Sequence, residues 1–357
     1  MLMSANIGGR VPMENLTERY DRILNAIVSS YICSAEPVGS RTLSRNAAFK
    51  LSPATIRNVM ADLEDLNLLC QPHTSAGRIP TDKGFRYYVD HLMELPELPE
   101  TVQEKIRMAC ASHQGNMEEM LKDGIMALSQ LAPYVSVVSL PHFNQATLKH
   151  IRFVRLNDRQ ILAVMVSGSG SVQNVLFEMD TVFVQDDLNR FSNFLNQMVD
   201  GLTLEGVKRK IFSQMKADKD AYDSVMSQVL RLSQKMLDQR AGDDSEIMID
   251  GKLNILEHPE FADLDKMKQL FRAFEEKNIM VKLLDEAQKG EQLQVFIGVE
   301  NQCEEMNLCS VVMADYGQEG QPMGKIGVIG PTRMEYSRII PLVRYTAEVI
   351  NQLMDNS

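Results

Sequence analysis

The chain has 357 residues, of which 44% are hydrophobic and 24% charged, a balance typical of a folded globular protein rather than a disordered one. This length exceeds one ordinary core and predicts two or three domains. No apolar run approaches the roughly 20 residues needed to span a bilayer, and Met1–Met13 lacks the hydrophobic centre of a secretory signal. The net charge of −11 argues against broad, non-specific coating of nucleic acid.

The cysteines and histidines indicate neither a disulfide framework nor a metal site. The five cysteines are odd in number and form no CxxC pair, which favours free thiols in the cytoplasm. The histidines are scattered without ligand spacing. Cys33 and Cys70 have apolar neighbours and are predicted to lie in a core. We therefore expect a cytoplasmic protein without a metal or another cofactor.

The N-terminal part of the chain predicts a tail and two helices. Met1–Met13 contains two glycines and a proline, which favour a flexible tail. Apolar residues recur at helical spacing over Leu16–Ser34 and predict a first helix. Glu36–Gly39 breaks this helix, and Ser40 can cap a short second one.

A third helix is predicted to begin at Ser52-Pro53. Ser52 is a good N-cap because its hydroxyl can accept from a first-turn amide, and Pro53 is tolerated at the first helical position. The predicted buried face consists of Ile56, Val59, Met60, Leu63 and Leu66. The outer face of the N-terminal half carries donors and acceptors suited to base edges and phosphates. Taken by itself, this helix is more typical of an ordinary amphipathic surface helix.

A short hairpin is predicted to follow the third helix. Its two strands are expected at Leu69–Pro72 and Arg78–Pro80, with the turn at His73–Gly77 between them. Gly77 would supply the permissive backbone that the tip needs, and Thr81 or Asp82 would cap a helix that ends near Met93. Three helices, the second of them short, followed by a hairpin are the layout of a winged helix-turn-helix.

Local charge supports DNA binding by this segment. From Pro37 to Tyr88 the chain carries seven basic and four acidic residues, which leaves +3 on a chain of −11. Because DNA affinity comes largely from neutralised phosphates, a duplex would lie here. For Arg41 and Arg45, ordinary solvated surface charge is the alternative. The predicted DNA contacts are Ser40, Arg41, Thr42 and Arg45 near the second helix, Ser52, Thr55, Arg57 and Asn58 in the third, and His73, Thr74, Ser75 and Arg78 in the hairpin.

Beyond residue 93 the pattern alternates between helices and strands. Glu94–Glu100, with two prolines and three glutamates, predicts an extended linker, and a long helix is predicted over Thr101–Leu131. Short turns join the next strands, so the sheet is expected to be mainly antiparallel. These strands are VSVVSL, HIRFVRL, QILAVMVS and SVQNVLFEM. A helical block is predicted over 186–240. It is followed by strands at EIMIDG, IMVKLL, QLQVFIGV, LCSVVMAD and KIGVIG, and by helices at Leu264–Lys277 and Met334–Met354.

The second half of the chain carries no sign of catalysis. We find no nucleophile elbow, phosphate loop or metal motif. Gly168-Ser-Gly170 lacks the third glycine of a dinucleotide fingerprint. Gly324, Gly327 and Gly330 are predicted to mark bulges or close packing in a strand. An enzyme is therefore not expected.

Several segments resemble HrcA, the bacterial repressor of heat-shock chaperone genes. The similarity is dense over EPVGSRTLSR at Glu36–Arg45, LSPATIRNVMADLEDLNLL at Leu51–Leu69 and HTSAGRIPTDKGFRYYVD at His73–Asp90, and HTSAGRIPT is highly specific. It is weaker at Ile326–Ile350. The resemblance implies a multidomain α+β fold with an N-terminal winged helix-turn-helix and a GAF-like antiparallel-sheet domain. A mostly helical dimerising insertion would interrupt the second domain.

The predicted domains follow from that resemblance. They are a winged-helix domain at 14–93, a linker at 94–100, a GAF-like domain at 101–185 and 251–357, and the dimerising insertion at 186–250. The resemblance also implies a homodimer that binds double-stranded DNA at the CIRCE inverted repeat of groE- and dnaK-type operons. Heat would release it, and the chaperonin GroEL would return it to the binding form.

Two alternatives to this function remain open from the residues. The first is a winged-helix repressor that is switched by a small ligand in the GAF-like domain. The second is a winged helix that binds another protein instead of DNA. In the main interpretation the protein is cytoplasmic and is associated with the nucleoid when it is bound to DNA.

Overall fold

A computed structural model shows that the chain divides into two compact units. The first combines Met1–Ser112, Glu119–Ser139 and Ile247–Ser357, and the second combines His113–Glu118 and Leu140–Glu246. The residues that the structure describes are 16–45, 51–74, 76–113, 116–140, 147–168, 172–179, 182–199, 201–202, 206–207, 210, 247–285, 292–301, 303–318 and 321–355. The predicted tail Met1–Met13 lies outside these residues.

The first unit begins with three helices, α1 (Glu18–Ser34), α2 (Ser40–Ser44) and α3 (Pro53–Asp65). They agree with the helices predicted from apolar spacing. Their apolar faces form a common core because each helix can bury only one stripe of side chains. The side chains with no exposed surface include Ile23, Leu24, Ile27, Val28, Ile56 and Leu63.

A hairpin and a further helix follow. Strands β1 (Leu69–Cys70) and β2 (Ile79–Pro80) pair in antiparallel fashion and are shorter than predicted. Helix α4 (Asp82–Tyr87) is capped by the Thr81 side chain, as predicted, and continues into a π-helical turn at Tyr88–Leu92. The segment 16–92 therefore has the predicted order of three helices, hairpin and helix.

The rest of the chain contains helices and antiparallel strands. The helices are α5 (Glu100–Ala111), α6 (Met117–Leu131), α7 (Gln185–Val199), α8 (Leu264–Glu275), α9 (Lys277–Asp285) and α10 (Tyr336–Asp355). The strands are β3 (Val135–Ser139), β4 (Leu148–Arg155), β5 (Gln160–Ser167), β6 (Val172–Glu178), β7 (Ile247–Asp250), β8 (Leu293–Ile297), β9 (Cys309–Gln318) and β10 (Gln321–Pro331).

A five-stranded sheet in the order β7-β3-β10-β9-β8 forms the main core of the first unit. All its pairings are antiparallel. Helices α8 and α9 pack on the face that carries Val137 and Met313. On the other face, Gly124 of α6 lies close to Ile326 of β10 and Ile350 of α10. The sheet is therefore covered on both sides, which explains why β3 is buried at every position.

A separate three-stranded sheet, β4-β5-β6, belongs to the second unit. Helix α7 covers one of its faces around Phe153, Phe177 and Phe191. The helix also closes the edge of β4, where Ile151 N donates to Asn196 Oδ1 at 2.7 Å. Such cover satisfies backbone groups that an edge strand would otherwise expose.

The prediction that β3 and β4–β6 share one sheet is wrong. Strand β3 pairs with β7 and β10, whereas β4–β6 pair only with one another among the described strands. The second unit accordingly contains β4–β6 within its larger part, Leu140–Glu246. Short turns in the sequence predict which neighbouring strands pair. They do not predict the pairing of β3 with β10, in which Val138 lies opposite Ile326, because these strands are far apart in the chain.

Two predicted elements are corrected by the structure. IMVKLL, predicted as a strand, lies in helix α9, and Met280, Leu283 and Leu284 share its buried face. Their spacing is that of a helix, although a short apolar run does not distinguish the two states. The long helix predicted over Thr101–Leu131 is two helices, since α5 ends at Ala111 and α6 begins at Met117. The sequence between them contains glycine and asparagine, which have low helix propensity.

The cysteines are all free thiols. Cys33, predicted in the core, is exposed because it lies on the solvent side of α1, and Cys70 is half-buried. Cys110 and Cys309 are buried instead. Burial raises the pKa of Cys110 to about 12, so this thiol stays protonated at neutral pH.

Candidate nucleic-acid interface

Helix α3 begins with a complete N-cap. Ser52 Oγ accepts from Thr55 N at 3.1 Å, and the Ser52 and Thr55 hydroxyl oxygens lie 2.9 Å apart. Pro53 is the first helical residue, as predicted. The two hydroxyl groups, which were predicted to contact DNA, therefore cap the N-terminus of α3. The other first-turn amides of the helix favour an anion such as phosphate.

Helix α3 has a buried face and an exposed face. Ile56 and Val59 face the core, whereas Arg57 and Asn58 between them are exposed. Leu66 was predicted on the buried face but is 44% exposed, because it is the C-cap where the chain leaves the helical path. Arg57 and Asn58 are therefore available to a ligand on the solvent side.

Helix α2 adds exposed polar groups. Arg41 and Thr42 are exposed, and so is Arg45 directly after the helix. Ser40 was predicted to be the N-cap of α2, but the N-cap is Gly39, whose carbonyl accepts from Thr42 N at 3.0 Å. Ser40 is the first helical residue and is half-buried.

The hairpin is joined through its backbone to the connection between α1 and α2. Val38 N donates to Arg78 O, and Arg78 N donates to Val38 O, both at 2.9 Å. Gly77 permits this approach, because a Cβ there would lie 2.8 Å from Pro37 C and still closer to the Val38 carbonyl. Its φ is not in the left-handed region, so Gly77 is needed for steric reasons and not for the predicted turn conformation.

Arg78 is held by a carboxylate of α3. Its Nε and Nη2 lie 2.9 and 2.8 Å from Glu64 Oε2. This pair orients the hairpin on α3, and a phosphate would have to compete with Glu64 for the guanidinium. The role of Arg78 as a DNA contact stays a prediction.

Gln71 shapes the hairpin tip, although sequence reasoning did not select it. Its Nε2 donates to Thr74 O and Ala76 O, each at 2.9 Å. His73 and Thr74 are exposed at the tip, and Ser75 lies outside the described residues. A glutamine directly before a loop of small polar residues is the signal that could have indicated this role.

The basic residues of this segment form two sets. Arg41, Arg45 and Arg57 are exposed. Arg86 instead forms an ion pair with Glu300, and its side chain is 17% exposed. Because the local charge of +3 included Arg86, fewer charges are available to a ligand than the sequence suggested.

Other kinds of site find no support in the described part of the chain. Within these ranges, no group of three or more His, Cys, Asp or Glu side chains is arranged to hold a metal ion. Across the same residues, no helix combines the length and apolar character needed to cross a bilayer.

Comparison with known proteins gives the family. The family described as HrcA protein C terminal domain matches residues 118–340. The heat-inducible transcription repressor HrcA of Geobacter sulfurreducens is 42% identical over 343 residues, which cover 96% of this chain and 99% of the relative. That of Syntrophobacter fumaroxidans is 38% identical (96% and 99% covered), and that of Shouchella clausii 40% (92% and 95%). The chain belongs to the HrcA family.

Membership of the HrcA family decides the functional class. The chain is a negative regulator of transcription in the heat-shock response, and it is not an enzyme. Both predictions are confirmed. A crystal structure of a hypothetical protein matches with a TM-score of 0.60 at 20% identity and covers 96% of this chain and 99% of that one. At this identity the likeness concerns the fold alone.

Replacing Gly77 tests the close approach of the hairpin to the Val38 backbone. We expect Gly77→Ala to lower the free energy of unfolding by about 1–3 kcal/mol, because the new methyl group meets backbone atoms that cannot move aside. Urea denaturation followed by circular dichroism measures the change. Gly124→Ala is the control, since the nearest atom to its Cβ would lie 3.5 Å away and alanine favours a helix. A Gly77→Ala chain as stable as the wild type would contradict the steric argument.

Proposed function

We propose that the chain is a winged helix-turn-helix repressor that binds the CIRCE inverted repeat as a homodimer. The exposed side of α3 carries this proposal. Arg57 and Asn58 lie there, next to the exposed α2 and near the hairpin that Arg78 ties to α3. A helix of this kind fits the major groove of B-DNA, and a hairpin beside it can reach the adjacent backbone.

Arg57 and Asn58 are the proposed base contacts. An arginine side chain can donate two bonds to guanine, and an asparagine can pair with the edge of adenine. Both side chains lie in the N-terminal half of α3, the part of a recognition helix that meets base edges. Ser52 and Thr55 would approach the same groove through the helix end that they cap.

The remaining predicted contacts would bind the DNA backbone. In this proposal the α2 region and the hairpin tip lie on the sugar-phosphate chains at either side of the groove, where they fix the register of the protein. Arg78 would contribute only where a phosphate replaces Glu64. The proposed backbone contacts are Ser40, Arg41, Thr42, Arg45, His73, Thr74 and Ser75.

The five-stranded sheet is proposed to be the GAF-like domain. An antiparallel sheet covered by helices on both faces supports this assignment. The larger part of the second unit, Leu140–Glu246, lies between β3 and β7 in the chain, as expected for an inserted domain. The fold alone assigns no ligand to it.

The second unit is proposed to form the dimer. One face of its sheet is covered by α7, and the other carries an apolar row in which Val154, Leu162 and Leu176 are cross-strand neighbours. Leu176 and Val172 remain 51% and 60% exposed. An exposed apolar face of this kind is typical of an interaction surface. A second copy of the chain is the proposed partner, because an inverted repeat requires a two-fold dimer.

A switch by a small ligand has less support. An open cavity of about 690 Å³ lies beside α6 and β7. Three of its polar side chains already have protein partners: Ser129 Oγ donates to the Asp250 carboxylate, and Asn254 Nδ2 donates to Ser129 O and Tyr134 O at 3.0 and 3.1 Å. Because these side chains bond to the protein itself, they are not free to bind a ligand. We therefore prefer the proposal of a repressor that is released by heat.

Substitution of Arg57 tests the proposed base contact. Arg57→Ala should weaken binding to a CIRCE duplex by about 1–3 kcal/mol if the side chain bonds a guanine in bidentate fashion. Fluorescence titrations with the intact and the scrambled half-site measure affinity and specificity. Arg107→Ala, which removes an exposed arginine of α5, is the matched control. Equal losses in both variants, or none in either, would remove Arg57 from the base contacts.

Substitution on the open sheet face tests the proposed dimer. Leu176→Asp should shift the chain towards a monomer, because a carboxylate loses hydration in an apolar interface. Sedimentation velocity measures the shift. Leu253→Asp replaces a leucine that is 71% exposed in the first unit and should leave the dimer intact. A Leu176→Asp chain that stays dimeric would place the interface elsewhere.

The proposed cycle of release and recovery can be followed by footprinting. We propose that heating removes the repressor from CIRCE and that the chaperonin GroEL restores the binding form. Protection of the operator should disappear after a heat pulse and return faster when GroEL and ATP are present. The same recovery rate without the chaperonin would exclude this partnership.

A further inference from the structure

Helix α4 joins the proposed DNA-binding segment, which consists of α1, α2, α3 and the hairpin β1–β2, to the five-stranded sheet. The Arg86 guanidinium donates to the Glu300 carboxylate, with Nε 2.9 Å from Oε1, and also to the Val295 carbonyl. Glu300 is itself held by Ile297 N at 2.9 Å. Planar donors that match a carboxylate in this way fix an orientation as well as a distance.

A second contact lies one turn earlier on α4. Asp82 Oδ2 accepts from Val299 N at 3.2 Å. Gly298 allows the approach, because its φ is +56° and a Cβ there would come within 2.6 Å of Asp82 Oδ1. Burial, together with the neighbouring Glu300, raises the pKa of Asp82, while the bond from Val299 lowers it. The turn Gly298–Asn301 thus receives Asp82 and Arg86, two of the three charged residues of α4.

A third contact holds the end of α1. Arg333, which pairs with Glu260, donates from Nη1 to Ile32 O at 3.0 Å. Helix α1 has no basic residue in its own last turn, so Arg333 supplies the cation that the carbonyl end of the helix favours. The Phe85 ring packs between Tyr31 and Tyr336, with both ring centroids 6.2 Å away.

Helix α4 is also fixed to the DNA-binding elements. Thr81 Oγ1 donates to Asn67 O at 2.7 Å, and Lys83 Nζ donates to Leu66 O at 3.1 Å. Both acceptors lie at the C-terminal end of α3. On the other side, an extended stretch over 93–99 links the segment to α5, and such a linker does not by itself set an angle.

We propose that Arg86 is a positioning residue that locks the DNA-binding segment onto the sheet and so fixes the half-site spacing that the dimer can bridge. This inference rests on the proposed function. A dimer whose two DNA-binding segments are held in place binds both half-sites without first ordering either segment. Without Arg86, the contacts of Asp82, Arg333 and Phe85 hold each segment less firmly. The segment then turns more easily about 93–99, and the preference of the dimer for one spacing weakens.

The test compares three chains on a set of duplexes. Arg86→Met removes the lock and keeps much of the side-chain volume. Lys325→Met is the matched control, because it breaks the Lys325–Asp315 pair within the sheet, where both side chains are 15% exposed. The duplexes carry a single half-site, CIRCE with its natural spacer, and CIRCE with the spacer changed by a few base pairs.

The expected result separates positioning from folding. Arg86→Met should lose at least about tenfold in affinity for natural CIRCE, since simultaneous binding of two sites raises affinity by such factors. Its half-site affinity should stay close to that of the wild type, and its discrimination between spacers should shrink. Lys325→Met should keep the discrimination even if its melting temperature falls. Unchanged discrimination in Arg86→Met would overturn the proposal, and so would an equal loss on the half-site.

Hydrogen exchange without DNA distinguishes this proposal from the proposed function. The amides of Ile297 and Val299, which bond Glu300 and Asp82, should exchange faster in Arg86→Met than in the wild type or Lys325→Met. Unchanged exchange would show that there is no lock. If exchange rises but the wild-type chain binds none of the duplexes, the lock exists while the proposed function, and with it the operator role of Arg86, is overturned.

Discussion

The ion pair between Arg86 and Glu300 joins residues 214 positions apart, and the placement of the N-terminal segment depends on it. Arg86 lies on α4, which follows the hairpin directly and also contacts the end of α3. Glu300 lies in the turn after β8 of the main sheet. The pair is half-buried, with side chains 17% and 34% exposed, so loss of either partner leaves the other charge partly withdrawn from water without its counter-ion, which destabilises the fold. The contacts at α4 therefore hold these elements against the main sheet in addition to the stretch 93–99.

The arginines of the N-terminal segment have different tasks despite their common charge. Arg86 and Arg78 each face a carboxylate and organise the protein itself. Arg41, Arg45 and Arg57 are exposed and can meet phosphates or bases. Such a division suits a DNA-binding protein, because contacts that must form with DNA cannot also be satisfied within the fold.

The second unit has an exposed surface that is apolar, in contrast to the charged surface of the N-terminal segment. Its sheet buries Phe153 and Phe177 against α7 but leaves Leu176 on the other face exposed. Apolar side chains at an open sheet face lower their free energy when another surface covers them. In the proposed function, this face supplies the two-fold contact that an inverted repeat requires.

Local patterns in the sequence determined the three helices, the cap at Ser52, the exposed Arg57 and Asn58, and the family, because each depends on residues close together in the chain. Tertiary structure alone decided the rest. It placed β3 with β10 and not with β4, made a helix of IMVKLL, gave Gly77 a steric role, and turned Arg78 and Arg86 towards Glu64 and Glu300. The physical reason is that the spacing of apolar residues shows which face of a helix or strand is buried. The partner of a strand, a glycine or a charged side chain depends instead on residues far away in the chain that folding brings into contact.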